Sequence, residues 1–306
     1  MKQLSFLAAC MLLLLSACDS GPTYTPLFTG DSQQAKDDAA IIAHLKENGI
    51  QAQHTESGIY YTIEKEGDGQ HPTSADVVTC HYSGTLVSTG DKFDSSYDRG
   101  EPTEFPLGKV IPGWQEGIPL LSTGGKGTLY IPSGLAYGPR EIAGLIPANS
   151  PLKFEVELVS FLSQAEFQQK QAEAASVQLE ADKTLIEAYV AEQGIKDIQY
   201  TESGMGYIIE EPGTGDNPNV RNTVVCHYRG TLLNGEEFDS SYSRGEPTEF
   251  PLNQVIVGWQ EGIPMLKPGG KGKFIIPSGI CYGPNERPGI PANSVLVFDV
   301  ELIEVK

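Results

Sequence analysis

Two rhythms of apolar residues run through the chain. Between about Gln34 and Asn48, Ile41, Ile42 and Leu45 share one helical face, and Gly49 follows as a stop. Gln164 to Gln193 contains neither Gly nor Pro, Ser163 and Glu166 have capping-box spacing, and Gly194 suits a left-handed terminator. That second helix would be about 45 Å long, enough to hold two domains apart. Leu179, Ile186, Tyr189 and Val190 fall on one of its faces, so its second half should pack against something. Strand signals follow each helix: Ile59–Ile63, Asp76–Leu86, Lys126–Pro132 and Leu152–Leu162 in the first half. The last alternates Phe154, Val156 and Leu158 with Lys153, Glu155 and Glu157, as a sheet with one buried and one solvated face requires. Leu233-Asn234-Gly235 carries the signal of a tight hairpin. Several antiparallel strands with little helix within each unit predict an α+β fold.

The pattern is written twice, about 145 residues apart. FDSSYDRGEPTEFPL at 93–107 returns as FDSSYSRGEPTEFPL at 238–252. GWQEGIP, GGKG, IPSG and IPANS also recur in order, and TESG leads into both copies. A period this long means two whole domains, since solenoid units run about 20–50 residues.

Composition narrows the function classes. Of 306 residues 39% are hydrophobic, so two ordinary cores are affordable by length, and Gly 34 with Pro 21 fits many turns. A formal charge of −19 repels phosphate backbones and argues against nucleic acid as a partner. Five Cys and five His form no CxxC, HxxxH or mixed cluster, so neither a metal nor another cofactor is expected. Cys80 and Cys226 occupy matching apolar strand positions in separate domains and read as buried, unpaired thiols.

The N-terminus reads as an address. Lys2 precedes an apolar run from Leu4 to Leu15, too short to span a bilayer as a helix but suited to a signal-peptide core. Leu15-Ser16-Ala17-Cys18 resembles the lipobox of bacterial lipoproteins. That resemblance implies a signal peptide at 1–17, lipidation of Cys18 and a tether over 18–34. The lipid would then hold the chain on the membrane of a bacterial cell envelope while the acidic body is repelled from anionic lipid.

Catalytic machinery of the usual kinds is missing from the pattern. No nucleophile–base pair stands out. Asp94 and Asp239 suggest paired carboxylates, yet nearby Arg99 and Arg244 suit ion pairing equally well. His81 and His227 precede Tyr82 and Tyr228 in strands, which points each His away from its Tyr. Gly124-Gly125-Lys126-Gly127 lacks the context of a phosphate loop and reads as a turn into a strand. What recurs is an apolar set. Tyr82, Phe93, Phe105, Val110, Ile111, Trp114, Tyr137, Ile146 and Phe154 return as Tyr228, Phe238, Phe250, Val255, Ile256, Trp259, Tyr282, Ile290 and Phe298. On its own such a set is a core.

The ordered segments VTCHYSGTL, KFDSSYDRG, FPLGKVIPGWQEGIP, GGKGTLYIPSGLAYG and IPANSPLKFEVEL, with their second copies, resemble the FKBP-type peptidyl-prolyl cis–trans isomerases over about 55–161 and 200–306. The resemblance implies two FKBP-like domains, 55–162 and 195–306. Each would be a half-open antiparallel sheet wrapped around a short helix near Gly113 or Gly258. An N-terminal helix over 35–54 would precede the first, and a linker helix over 163–194 would join the two. It further implies a prolyl-binding cleft in each domain, floored by Trp114 or Trp259 and walled by the apolar set. Tyr137 and Tyr282 would offer a hydroxyl to a substrate carbonyl. Asp94 and Asp239, oriented by Arg99 and Arg244, would sit beside the twisting amide. Partners would be unfolded or exported proteins with Xaa-Pro bonds, and macrolide inhibitors of the family. Ile142 and Arg287 stand where the family often has a His, and the loop is one residue shorter in the second copy, so substrate preference should differ between the domains. A non-catalytic grip on proline-containing or apolar segments, as in a holdase, is the alternative, and a small-ligand-binding lipoprotein is a third reading. Clients, choice of membrane and oligomeric state are not legible.

Overall fold

The computed structural model describes residues 22–306; the segment expected to be a signal peptide, 1–17, and Cys18 lie outside the described residues. The chain divides into two compact units, with the boundary between Phe167 and Gln168.

In unit one, α1 (Gln33–Glu47) begins at Ser32, whose hydroxyl accepts the Ala35 N–H. The strands are β1 (Gln53–His54), β2 (Tyr60–Lys65), β3 (Val77–Leu86), β4 (Lys92–Ser95), β5 (Thr103–Pro106), β6 (Lys126–Ile131) and β7 (Leu152–Leu162). They pair antiparallel in the order β1-β2-β6-β7-β3-β4, with β5 also on β3. Two short helices, α2 (Ser96–Arg99) and α3 (Pro112–Gly117), interrupt the strands. β7 alternates buried and half-buried residues from Leu152 to Leu158, as its sequence pattern predicts. Ile118, Leu129, Ile131, Val156 and Leu158 are fully buried between α3 and the sheet.

The chain then forms α4 (Gln164–Glu192), entered through the capping box foreseen in the sequence. Ser163 Oγ accepts the Glu166 N–H at 3.2 Å, and Glu166 accepts the Ser163 N–H at 2.8 Å. Unit two repeats the plan with β8 (Gln199–Tyr200), β9 (Gly206–Glu211), β10 (Thr223–Leu232), β11 (Glu237–Ser240), α5 (Ser241–Arg244), β12 (Thr248–Pro251), α6 (Val257–Gly262), β13 (Gly270–Ile276) and β14 (Leu296–Val305). The strand order is the same, β8-β9-β13-β14-β10-β11, with β12 on β10. The second half of α4 does pack: Ile186 is fully buried against Ile275, Val295 and Val297, with Tyr189 and Val190 beside it. Within unit two, therefore, α4 is part of the folded body. The Asn234-Gly235 hairpin closes as a three-residue loop, Leu232 N–H donating to Glu236 O with Gly235 at φ 85°.

Local propensity gives no reason for α3, because it contains Gly113 and Gly117 and is followed by Pro119. The sheet supplies the reason. A Cβ on Gly113 would lie 2.3 Å from Ile131 Cγ2, and one on Gly117 would lie 2.6 Å from Leu129 Cδ1. The two glycines let the helix sit directly on β6, and Pro112 at its first turn forgoes no hydrogen bond.

Candidate functional site

Between α3 and the concave face of its sheet, unit one holds a cavity of about 700 Å³. Its floor is Trp114, 7% exposed, presented by the first turn of α3. The walls are Tyr82 from β3, Phe93 and Asp94 from β4, Phe105 from β5, Val110 and Ile111 before α3, Phe154 from β7, and Tyr137 and Ile146 from the loop after β6. Ring packing fixes the floor. Tyr82 and Phe154 meet Trp114 edge-on with centroids 4.9 and 5.0 Å away, and Phe105 tilts against it at 5.1 Å. Such contacts are worth about 0.5–1.5 kcal/mol each beyond area burial.

One polar cluster interrupts the apolar wall. Tyr82 Oη donates to Asp94 Oδ2 at 2.5 Å, and Arg99 Nη1 donates to Asp94 Oδ1 at 2.5 Å. Arg99 Nη2 bonds Tyr82 Oη at 2.8 Å and Thr103 Oγ1 at 3.1 Å. The local sequence makes this closure. α2 is a single turn that ends at Gly100 with φ 82°, returning Arg99 to the aspartate five residues earlier. Ser96 ties the turn to β3 by accepting the Tyr82 N–H at 2.8 Å. Burial pushes the Asp94 carboxyl up, but the hydrogen bonds from Tyr82 and Arg99, the guanidinium charge and the Ser95 backbone together hold it below the ordinary carboxylate range. Burial, and then the charge of Asp94, push the Tyr137 hydroxyl up, so it stays an O–H donor.

Unit two builds the same site in a smaller cavity of about 330 Å³, lined by Tyr228, Phe238, Asp239, Phe250, Val255, Ile256, Trp259, Tyr282 and Phe298. Tyr228 Oη donates to Asp239 Oδ2 at 2.5 Å; Arg244 pairs with Asp239 Oδ1, and its Nη2 bonds Tyr228 Oη at 2.8 Å. Trp259, 6% exposed, is again the floor. Among the described residues, the indole N–H groups of Trp114 and Trp259 are buried without a hydrogen-bond partner. Unpartnered buried donors are rare, and both occur at the same point of the same cavity.

One expected wall residue, Ile290, sits elsewhere, and the two arginines take the orienting place expected of them. Arg99 and Arg244 do not line the cavities; they stand behind Asp94 and Asp239 and hold them. Ile290 is buried in the core, and borders a shallow recess with Arg287 and Glu286 instead of the unit-two cavity. The cause is the loop: Ile142 bridges to Ile146 four residues on, whereas Arg287 bridges to Ile290 three residues on. Arg287 lies 5.7 Å from the centre of the Tyr282 ring. Lys109, Ile142, Leu145 and Gln254 also line the cavities. Lys109 and Gln254 were legible as the matching neighbours of Val110 and Val255, whereas Leu145 has no counterpart in the shorter loop.

The decoys resolve as structural. His81 and His227 stack on Tyr97 and Tyr242 with centroids 4.6 Å apart, off the cavity walls. Lys126 opens β6 after a turn with Gly124 at φ 80°. Cys80 and Cys226 are buried free thiols, each pushed up to about 12 by burial. No helix among the described residues is long and apolar enough to cross a membrane.

Comparison with known proteins agrees with this geometry. The family described as FKBP-type peptidyl-prolyl cis-trans isomerase matches residues 68–159 and 215–303, more than half of the chain. The FKBP-type peptidyl-prolyl cis-trans isomerase FkpA of Aeromonas hydrophila is 50% identical over 121 residues, 39% of this chain and 45% of that one. FkpA of Escherichia coli K12 is 49% identical over 120 residues, 39% of this chain and 43% of that one. The crystal structure of FkpA from Escherichia coli aligns with 47% of this chain and 74% of its own, at 42% identity and a TM-score of 0.38. The chain spans about half the length of the curated relatives it matches. Two copies of one matched module, each built around the same tryptophan-floored cavity, make this chain a member of the FKBP-type peptidyl-prolyl cis-trans isomerase family.

Proposed function

We propose that the protein catalyses cis–trans isomerisation of Xaa-Pro bonds in both cavities, without a covalent step. The observation that carries this reading is the pairing of an apolar, tryptophan-floored cavity with a single oriented carboxylate, present in each unit. The barrier to rotation, about 18–20 kcal/mol, comes from C–N double-bond character. The two Xaa-Pro isomers lie close in energy yet exchange over tens to hundreds of seconds. A twisted amide has a less polar carbonyl and a nitrogen with its lone pair restored. An apolar wall therefore disfavours the planar amide relative to the twisted one. A thousandfold acceleration needs about 4 kcal/mol of such differential stabilisation. In this reading proline packs on Trp114 or Trp259 among the cavity aromatics. Tyr137 or Tyr282 donates to a substrate carbonyl. Asp94 or Asp239, fixed by Arg99 or Arg244, faces the amide as it twists.

The domain limits of the sequence analysis enter this proposal with one extension: the second half of α4 works with the second domain. The lipobox-like Leu15–Cys18 supports lipidation at Cys18 and anchoring in a bacterial cell envelope, with unfolded or exported proteins carrying Xaa-Pro bonds as clients and macrolides of the family as inhibitors. The test uses the full chain on an Xaa-Pro peptide. Acceleration of exchange, blocked by a family macrolide, is the expected result. Tight peptide binding, read by tryptophan quenching, with no acceleration would instead make the cavities gripping modules. For the anchor, the mass of the protein from bacterial membranes should show acyl chains on Cys18, and Cys18→Ser should release it.

A further inference from the structure

A second carboxylate serves each site from behind. Asp37 on α1 is 2% exposed and Asp182 on α4 is fully buried. Neither lines a cavity described above. Asp37 Oδ2 accepts both the N–H and the hydroxyl of Ser133, at 2.8 and 2.6 Å, while Gln33 Nε2 holds its Oδ1 at 2.7 Å. Asp182 Oδ2 accepts both donors of Ser278 at 2.7 Å, and Gln178 Nε2 holds its Oδ1 at 2.8 Å. Each serine then turns its carbonyl to the residues on either side of the cavity tyrosine. Ser133 O accepts the N–H groups of Ala136 and Gly138 at 2.9 and 2.8 Å, bracketing Tyr137. Ser278 O accepts those of Cys281 and Gly283, both at 2.9 Å, bracketing Tyr282.

The same quartet is thus built twice, on helices whose sequences otherwise differ. Over Gln33–Glu47 and its counterpart, the copies agree at Gln33 and Gln178, Asp37 and Asp182, Ile41 and Ile186, Ala43 and Ala188, and Glu47 and Glu192. Two of those matches are the serine-holding pair, and Ile41 and Ile186 are fully buried. Packing alone needs the isoleucine, not a buried charge. An ionised carboxylate out of water is costly unless its oxygens are filled, and here all its hydrogen bonds run to the turn that carries the tyrosine or to the neighbouring glutamine. We infer that Asp37 and Asp182 are positioning residues, which fix the hydroxyls of Tyr137 and Tyr282 through Ser133 and Ser278 and so make α1 and the second half of α4 parts of the two active sites. This rests on the role given to the tyrosines above.

The test uses the full chain with the first cavity silenced by Asp94→Ala and Tyr137→Ala, so that only the second acts. Asp182→Asn keeps size and loses the charge that accepts both Ser278 donors. It is expected to lower kcat/KM on an Xaa-Pro peptide roughly tenfold, mostly in kcat, in a protein whose melting temperature still shows a folded second unit. In a Tyr282→Phe background the same change should cost less than about twofold, because its effect passes through the missing hydroxyl. Equal losses with and without that hydroxyl, or no loss, would overturn the inference. If Asp182→Asn does not fold, Ser278→Ala, which keeps the backbone N–H bond to Asp182, replaces it in the same cycle. Hydrogen exchange reads the anchor without activity: the amides of Cys281 and Gly283 should exchange faster in Asp182→Asn than in its parent, and unchanged exchange there sinks the proposal. A parent with no isomerase activity would refute the functional reading of the second cavity, while the exchange arm would still decide the anchor.

Discussion

Asp94 stands where two demands meet, a carboxylate in an apolar wall and a charge that must not wander. Tyr82, Arg99 and Thr103 meet those demands by closing a small network around it. The folded pKa is depressed, so the stability contributed by the ionised form is present above the ordinary value of 3.8 and is lost as pH falls through the lower folded value. The pair is half exposed, so solvent screens it and that contribution is small. For catalysis the consequence is a flat profile: in the chain carrying both Asp239→Ala and Tyr282→Ala, kcat/KM through the first cavity should not change between about pH 5 and 8. A titration inside that range would place another group at the reacting bond. Asp94→Asn keeps the shape and removes the charge, and should lower kcat/KM in the same chain about tenfold, measured on one Xaa-Pro peptide. Most of these residues were legible as a recurring set, because the repeat separates what is kept from what drifts. The rank of each within the site was not. Arg99 reads as the orienting partner of Asp94, but that its other nitrogen is spent on Tyr82 and Thr103 is a fact of side-chain direction that spacing does not encode.

At the scale of elements, α3 and the loop after β6 carry the site, and neither follows from local pattern. α3 exists because β6 lets a glycine face approach it. Gly113→Ala drives a Cβ to 2.3 Å from Ile131, whose branched side chain has little room to yield, and should destabilise unit one by about 1–3 kcal/mol. Gly134→Ala, which meets nothing within 4 Å, is the control and should leave the calorimetric transition in place. The four longest strands of unit one and the two long helices, by contrast, were legible nearly to their ends, since the periods of 2 and 3.6 report a buried face, whereas the short β1, β4 and β5 are too brief to show a period. The loop differs between copies where the sequence said it would. Ile142 and Leu145 extend an apolar rim in unit one, whereas Arg287 lies over Tyr282 in unit two. The first cavity should accordingly favour a large apolar residue before proline, and the second should tolerate an acidic one. Comparing kcat/KM for Leu-Pro and Glu-Pro peptides in chains with one cavity silenced reads this directly, and Arg287→Ile should move the second preference toward the first.

For the whole molecule, duplication is the organising fact. Each unit has its own core, its own sheet of the same strand order and its own cavity, so each site can be removed without rebuilding the other. The repeat made that legible from sequence alone, but the place of α4 was not. Its first part reads as a polar spacer, and it was the burial of Ile186 and Asp182 in unit two that joined its second half to the domain that follows. The measurement that bears most directly on the account is one assay of Xaa-Pro isomerisation across four full-length chains: unaltered, Asp94→Ala with Tyr137→Ala, Asp239→Ala with Tyr282→Ala, and all four changes together. Each two-change chain should keep a share of the rate and the four-change chain should fall to near the uncatalysed rate, while all four stay folded. A four-change chain that still isomerised like the unaltered protein would contradict the assignment of catalysis to these two cavities.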